Sequence, residues 1–139
     1  MSRSMGVLSV FVVLLAAACG SEKKSEEGKA EQECGAAPAA MAGQPTLPPK
    51  FPTPDEVTYT GQKKTGPSTI VGAYRDGELG EAFDDYKSGF GSAGYDVTKD
   101  EQEEDDAEVN FAGGGSTGQV KMIQSCKDRT NLSITIRPQ

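Results

Sequence analysis

Six of the eight prolines in this chain fall between Ala36 and Pro54, and from Gly20 to about Pro49 no hydrophobic periodicity appears. Gly20–Glu33 is a charged run of Lys, Glu, Ser and Gly. A stretch like this has too little apolar surface to offset its conformational entropy, so it reads as a disordered tether with polyproline-like segments. Residues that can build a core therefore run from about Phe51 to Gln139, which is room for one small domain.

Within that span the pattern is specific. Val57–Lys63 alternates and ends at Gly66-Pro67, a strand followed by a turn, and Thr69–Arg75 reads as its hairpin partner. Asp76-Gly77 is a turn that leads into a helix. Leu79, Ala82, Phe83, Tyr86 and Phe90 form an apolar stripe at helical spacing, with Glu81, Asp84, Asp85 and Lys87 on the other side. Gly80, Gly89 and Gly91 each weaken the helix by about 1 kcal/mol relative to alanine, so packing must hold it. Gly94 is a natural C-terminal stop. Strands follow at Tyr95–Glu101, Ala107–Ala112 and Gln119–Cys126. Leu132, Ile134 and Ile136 then alternate with Ser133, Thr135 and Arg137. The order is ββαββββ: an α+β domain with a single antiparallel sheet and one helix packed on one face. The facing of Gln119–Cys126 stays open, because Val120, Met122 and Ile123 do not alternate.

The N-terminus carries a different signal. Arg3 is the only charged side chain before Cys19, Val7–Ala18 is an uncharged run, and Ala16-Ala17-Ala18 precedes the cysteine. The run is too short for a membrane-spanning helix, which needs roughly 20 residues. This layout resembles a bacterial lipoprotein signal peptide ending in a lipobox, with alanine at a position where the pattern prefers leucine. The resemblance implies cleavage after residue 18 and acylation of Cys19, with two or more chains anchoring the protein stably to a lipid bilayer. The resulting division is a signal peptide at 1–18, a lipidated N-terminus and disordered tether at 19–50, and the α+β domain at 51–139. The protein would be membrane-anchored and extracytoplasmic. Gly20 stands where some Gram-negative lipoproteins carry an inner-membrane retention aspartate, so an outer-membrane destination is favoured if the source is Gram-negative.

Lipidation of Cys19 leaves Cys34 and Cys126 in an oxidising compartment, where a disulfide between them is expected. Two free thiols or an intermolecular pair are the alternatives. The segment from Pro48 to Pro138, with its proline-rich lead and Gly94-Tyr95 helix exit, also resembles small bacterial envelope lipoproteins with a helix-on-sheet domain. Those mostly have no assigned activity, and the likeness implies no site.

Composition narrows the chemistry. The chain holds 14 basic and 21 acidic residues, for a net charge of −7, and loses only Arg3 with the leader. Nucleic acid and anionic lipid headgroups would be repelled. There is no histidine, which removes His-based triads, His general bases and most zinc site types.

Two glycine-rich stretches, Gly89–Gly94 and Gly113–Gly118, match G-x-G-x-x-G. A dinucleotide site needs those glycines between a strand and a helix N-terminus. The first stretch ends a helix and the second joins two strands, so neither builds that site. Seven carboxylates lie between Asp100 and Glu108. Asp100, Glu103, Asp105 and Asp106 could offer calcium a weak site, but the run lacks an EF-hand's central glycine, and a solvated charged turn explains it more simply. Paired carboxylates for glycoside cleavage would need a deeper cleft than one helix on one sheet provides. Asn131-Leu132-Ser133 matches a glycosylation sequon, whose machinery a bacterial lipoprotein does not normally meet.

The reading is therefore a non-enzymatic envelope lipoprotein without cofactor beyond its covalent lipid, contacting another envelope protein. The candidate surfaces are the uncovered sheet face, with Thr58, Thr60, Ser133, Thr135 and Arg137, or an edge strand. The alternative is a small-ligand or weak calcium-binding module using the acidic turn.

Overall fold

The computed structural model describes residues 31–139. The leader, Cys19 and residues 20–30 lie outside that range. Six strands and one helix follow in the expected order: β1 (Val57–Thr65), β2 (Ser68–Asp76), α1 (Leu79–Ser92), β3 (Asp96–Gln102), β4 (Asp106–Gly113), β5 (Ser116–Cys126) and β6 (Arg129–Pro138). They form one antiparallel sheet in the order β1-β2-β6-β5-β4-β3. The C-terminal strand is thus central, paired with β2 on one side and β5 on the other.

The helix ends as its sequence dictates. Gly94 takes a left-handed φ of 83° and donates to Gly91 O at 3.2 Å, while Tyr95 N–H returns to Phe90 O at 2.9 Å. This is a Schellman ending, closed by contact between the Phe90 and Tyr95 rings, 5.5 Å apart. The other end has no capping side chain of its own. Instead Gln124 Oε1, on β5, accepts from Leu79 N–H at 2.7 Å.

All five stripe residues of α1 are buried against Val71, Ala73, Val109, Phe111, Val120, Met122, Leu132 and Ile134. This settles the facing of β5: Val120 and Met122 point inward, and Ile123 is 45% exposed on the opposite face. Phe90 stacks on Phe111 with ring centroids 4.6 Å apart, and Phe51 meets both edge-on at 5.3 and 5.4 Å.

The expected tether is tied down from at least Gln32 onward. Cys34 and Cys126 form a disulfide with Cα atoms 5.2 Å apart. Gln32 O accepts from Lys127 N–H at 2.8 Å, Tyr59 O from Met41 N–H at 2.8 Å, and Pro49 O from the Tyr95 hydroxyl at 2.8 Å. The segment 31–56 is therefore a strap without helix or strand. It runs from the end of β5, past the outer edge of β1, to Phe51 in the core. The boundary placed at residue 51 is corrected to the disulfide. Proline composition indicates that a segment lacks regular structure, not that it lacks contacts.

The inward face of β2, which alternation assigns to Val71, Ala73 and Arg75, also carries a charge. Arg75 points to the helix side of β2 and is 9% exposed, with Nη1 2.9 Å from Asp85 and Nη2 3.9 Å from Glu81. The hydroxyls of Tyr59 and Tyr86 lie buried without a hydrogen-bond partner among the described residues. Burial pushes the Tyr86 hydroxyl well above the usual tyrosine range, with Tyr59 adding to the rise and Arg75 opposing it. The unfolded chain ionises near pH 10 while the folded chain keeps the proton. This contribution to stability is thus intact below that pH and is lost as pH rises above it. Tyr86→Phe is expected to raise stability at neutral pH by about 1 kcal/mol, by removing an unpartnered hydroxyl. It should also flatten the alkaline decline. Urea unfolding at neutral and alkaline pH checks both, and an unchanged alkaline decline would assign it to other groups.

Candidate interaction surface

The helix and strap cover one face of the sheet, and the other is open. Side-chain alternation on six paired strands sorts residues between the two. Leu132, Ile134 and Ile136 of β6 go to the core, so Ser133, Thr135 and Arg137 go to solvent. Register extends each row across the sheet: Ser133 lies between Lys121 and Gly72, and Thr135 between Gln119 and Ile70. Thr58 pairs with Tyr74 on the same open face. Thr60 occupies a bulge between Tyr59 and Gly61, and its hydroxyl sits over Gly72, where a side chain would stand 3.2 Å away. The structure thus brings Ser133, Thr135 and Arg137 together on the central strand, with Thr58 and Thr60 on β1 at the margin.

The open face is more basic than the rest of the chain. Lys63, Lys99, Lys121, Arg129 and Arg137 lie there with Asp76, Asp96, Glu101, Asp106 and Glu108, an even balance in an acidic chain. Arg129 covers the Tyr74 ring at 5.2 Å, which buries that tyrosine on an otherwise wet face. Lys99 has its pKa raised by a hydrogen bond from its ammonium to Glu101, with further support from Glu101 and Glu108 charge. The helix side, by contrast, exposes Glu78, Glu81, Asp84 and Asp85.

The acidic run forms the hairpin between β3 and β4, closed by Glu103 N–H to Asp106 O at 2.7 Å. Asp100 is engaged by Lys87 at 2.6 Å, and Asp105 O accepts from Gln124 N–H at 2.9 Å. Among the described residues no three His, Cys, Asp or Glu side chains come together as a metal site, so Asp100, Glu103, Asp105 and Asp106 do not converge. The outer edge of β3 carries Lys99, Asp100 and Glu101 beside a bulge between Val97 and Lys99, features that discourage edge-to-edge pairing. The first glycine-rich stretch ends α1, and the second makes the tight β4–β5 turn, with Gly114 and Gly115 at φ 58° and 75°.

A groove of about 730 Å³ separates the strap from α1, with Arg75 and Asp85 among its lining residues. Its buried cation already faces a carboxylate, and Asp55 and Glu56 add negative charge. Sequence reasoning passed over one arrangement on the open face. Glu108 receives Asn110 Nδ2 at 3.0 Å and Gln119 Nε2 at 2.9 Å, one on each carboxylate oxygen. Asn110 and Gln119 are opposite each other in the β4–β5 register, but that pairing cannot be read from either strand alone.

No protein-family model, curated protein or solved structure matches this chain. Among the described residues, no helix is long and apolar enough to cross a membrane.

Proposed function

We propose that this protein is a lipid-anchored, non-enzymatic binding module of the bacterial cell envelope, held by acylated Cys19 and contacting an envelope protein through the open sheet face. The observation that carries the reading is the asymmetry of the sheet. One face is closed by α1 and the strap, while the other presents a continuous polar surface from β1 to β4. The chain has no histidine, and neither glycine-rich stretch has the context for phosphate binding, which supports a contact role. The strap leaves the domain beside Cys126, which places the β1–β2 and β4–β5 turns at the opposite end of the sheet. An anchor at Cys19 would thus hold the domain by one end.

The anchor has a direct test. Cys19→Ser is expected to abolish incorporation of radioactive palmitate and to release the protein from the membrane fraction. Persistent labelling of that variant would place the acyl chain elsewhere and remove the basis for the reading.

A further inference from the structure

At the end of the open face away from Cys126, register places Ala112, Thr117 and Arg137 in one row and Asn110, Gln119 and Thr135 in the next. Short side chains surrounded by longer ones leave a hollow of about 400 Å³. In a chain of net charge −7, Arg137 is the only charged side chain lining it among the described residues.

The polar groups around the hollow are fixed from behind. Glu108 draws the amide NH2 groups of both Asn110 and Gln119, which leaves their carbonyl oxygens free to accept. Arg137 donates Nε to Ser68 Oγ at 3.1 Å, which leaves its two terminal nitrogens free. This is the preorganisation that a polar ligand needs, because the ordering cost has been met before binding. Arg137 and Thr135 also line a second groove of about 470 Å³, where Pro67 and Ile70 supply apolar surface.

We propose that these two hollows, which share Arg137 and Thr135, together bind a carboxylated saccharide. Arg137 takes the carboxylate as a charge-assisted pair, and the Asn110 and Gln119 carbonyls accept from sugar hydroxyls. Thr117 and Thr135 complete the polar contacts, and Pro67 with Ile70 takes the apolar face of a ring. A neutral sugar would leave Arg137 unanswered, and a peptide carboxylate, whose N–H groups could also reach the two carbonyls, is the competitor that the tripeptide tests. The site stands on the geometry of the sheet and does not depend on acylation of Cys19.

The test is an amide NMR titration of the full chain carrying Cys19→Ser, using trigalacturonate, maltotriose and an N-acetylated tripeptide as probes. Trigalacturonate is expected to shift the resonances of Thr117, Gly118, Gln119 and Thr135, with maltotriose weaker by about tenfold. Arg137→Gln should erase that preference with the spectrum otherwise unchanged. Glu108→Gln should weaken both sugars together, because it releases the amides without touching the cation. No shift with millimolar trigalacturonate would overturn the proposal. So would equal shifts with the tripeptide, or a preference that survives Arg137→Gln.

Discussion

Phe90→Ala is expected to cost about 3–5 kcal/mol, the range for deleting a fully buried phenylalanine. Phe90 is 0% exposed and sits in an aromatic cluster that joins the helix to three other parts of the chain. Its ring stacks on Phe111 of β4, meets Phe51 of the strap edge-on, and closes the helix exit against Tyr95. A cavity there cannot be filled by helix movement alone, because the Schellman hydrogen bonds fix the last turn against the start of β3. In a domain of this size the loss corresponds to a fall in melting temperature on the order of 15–30 °C. Thermal unfolding followed by circular dichroism measures it. A fall of only a few degrees would mean that the strap and helix close the cavity, and that this cluster is not the centre of the core.

Removing the disulfide is the second large effect. Cys34→Ser with Cys126→Ser opens a cross-link of sequence separation 92, for which the chain-entropy model gives about 4–5 kcal/mol. The folded strap keeps its other ties, at Met41 to Tyr59, at Thr46 to Gln62 and at Phe51 in the core. The native structure should therefore survive while the unfolded chain gains freedom. Urea unfolding is expected to show a lower midpoint, with the same change produced in the wild type by a reductant. The strap between Cys34 and Met41 should become sensitive to protease before the sheet does. A midpoint unchanged by both treatments would show that the loop constraint contributes nothing, and that the later contacts alone fasten the strap.

The helix was legible because its signals agree: five apolar residues at helical spacing, a left-handed glycine after the last turn and an aromatic residue beyond it. β6 was legible for the same reason, with strict alternation from Leu132 to Arg137. β5 was legible as a strand but not in its facing, because Ile123 stands on the open face and breaks the pattern that Val120 and Met122 follow. The strap was misjudged for a different reason. Its contacts are backbone hydrogen bonds, one disulfide and one phenylalanine, none of which leaves a period in the sequence. Arg75 fits an inward position because Asp85, on the helix, supplies the opposite charge. The residues named for the open face were found by alternation along single strands. The Glu108 clamp on Asn110 and Gln119 was missed because it depends on register between strands.

The central claim, an anchored module that makes contact through its open sheet face, is tested most directly by site-specific photo-crosslinking in the membrane-bound protein. A photoreactive residue at Ser133 reports on that face, and one at Asp84 reports on the exposed side of α1. The account predicts a discrete envelope-protein adduct from position 133, none from position 84, and loss of the adduct when Cys19→Ser is added. Equal adducts from both positions, or none from position 133, would contradict it.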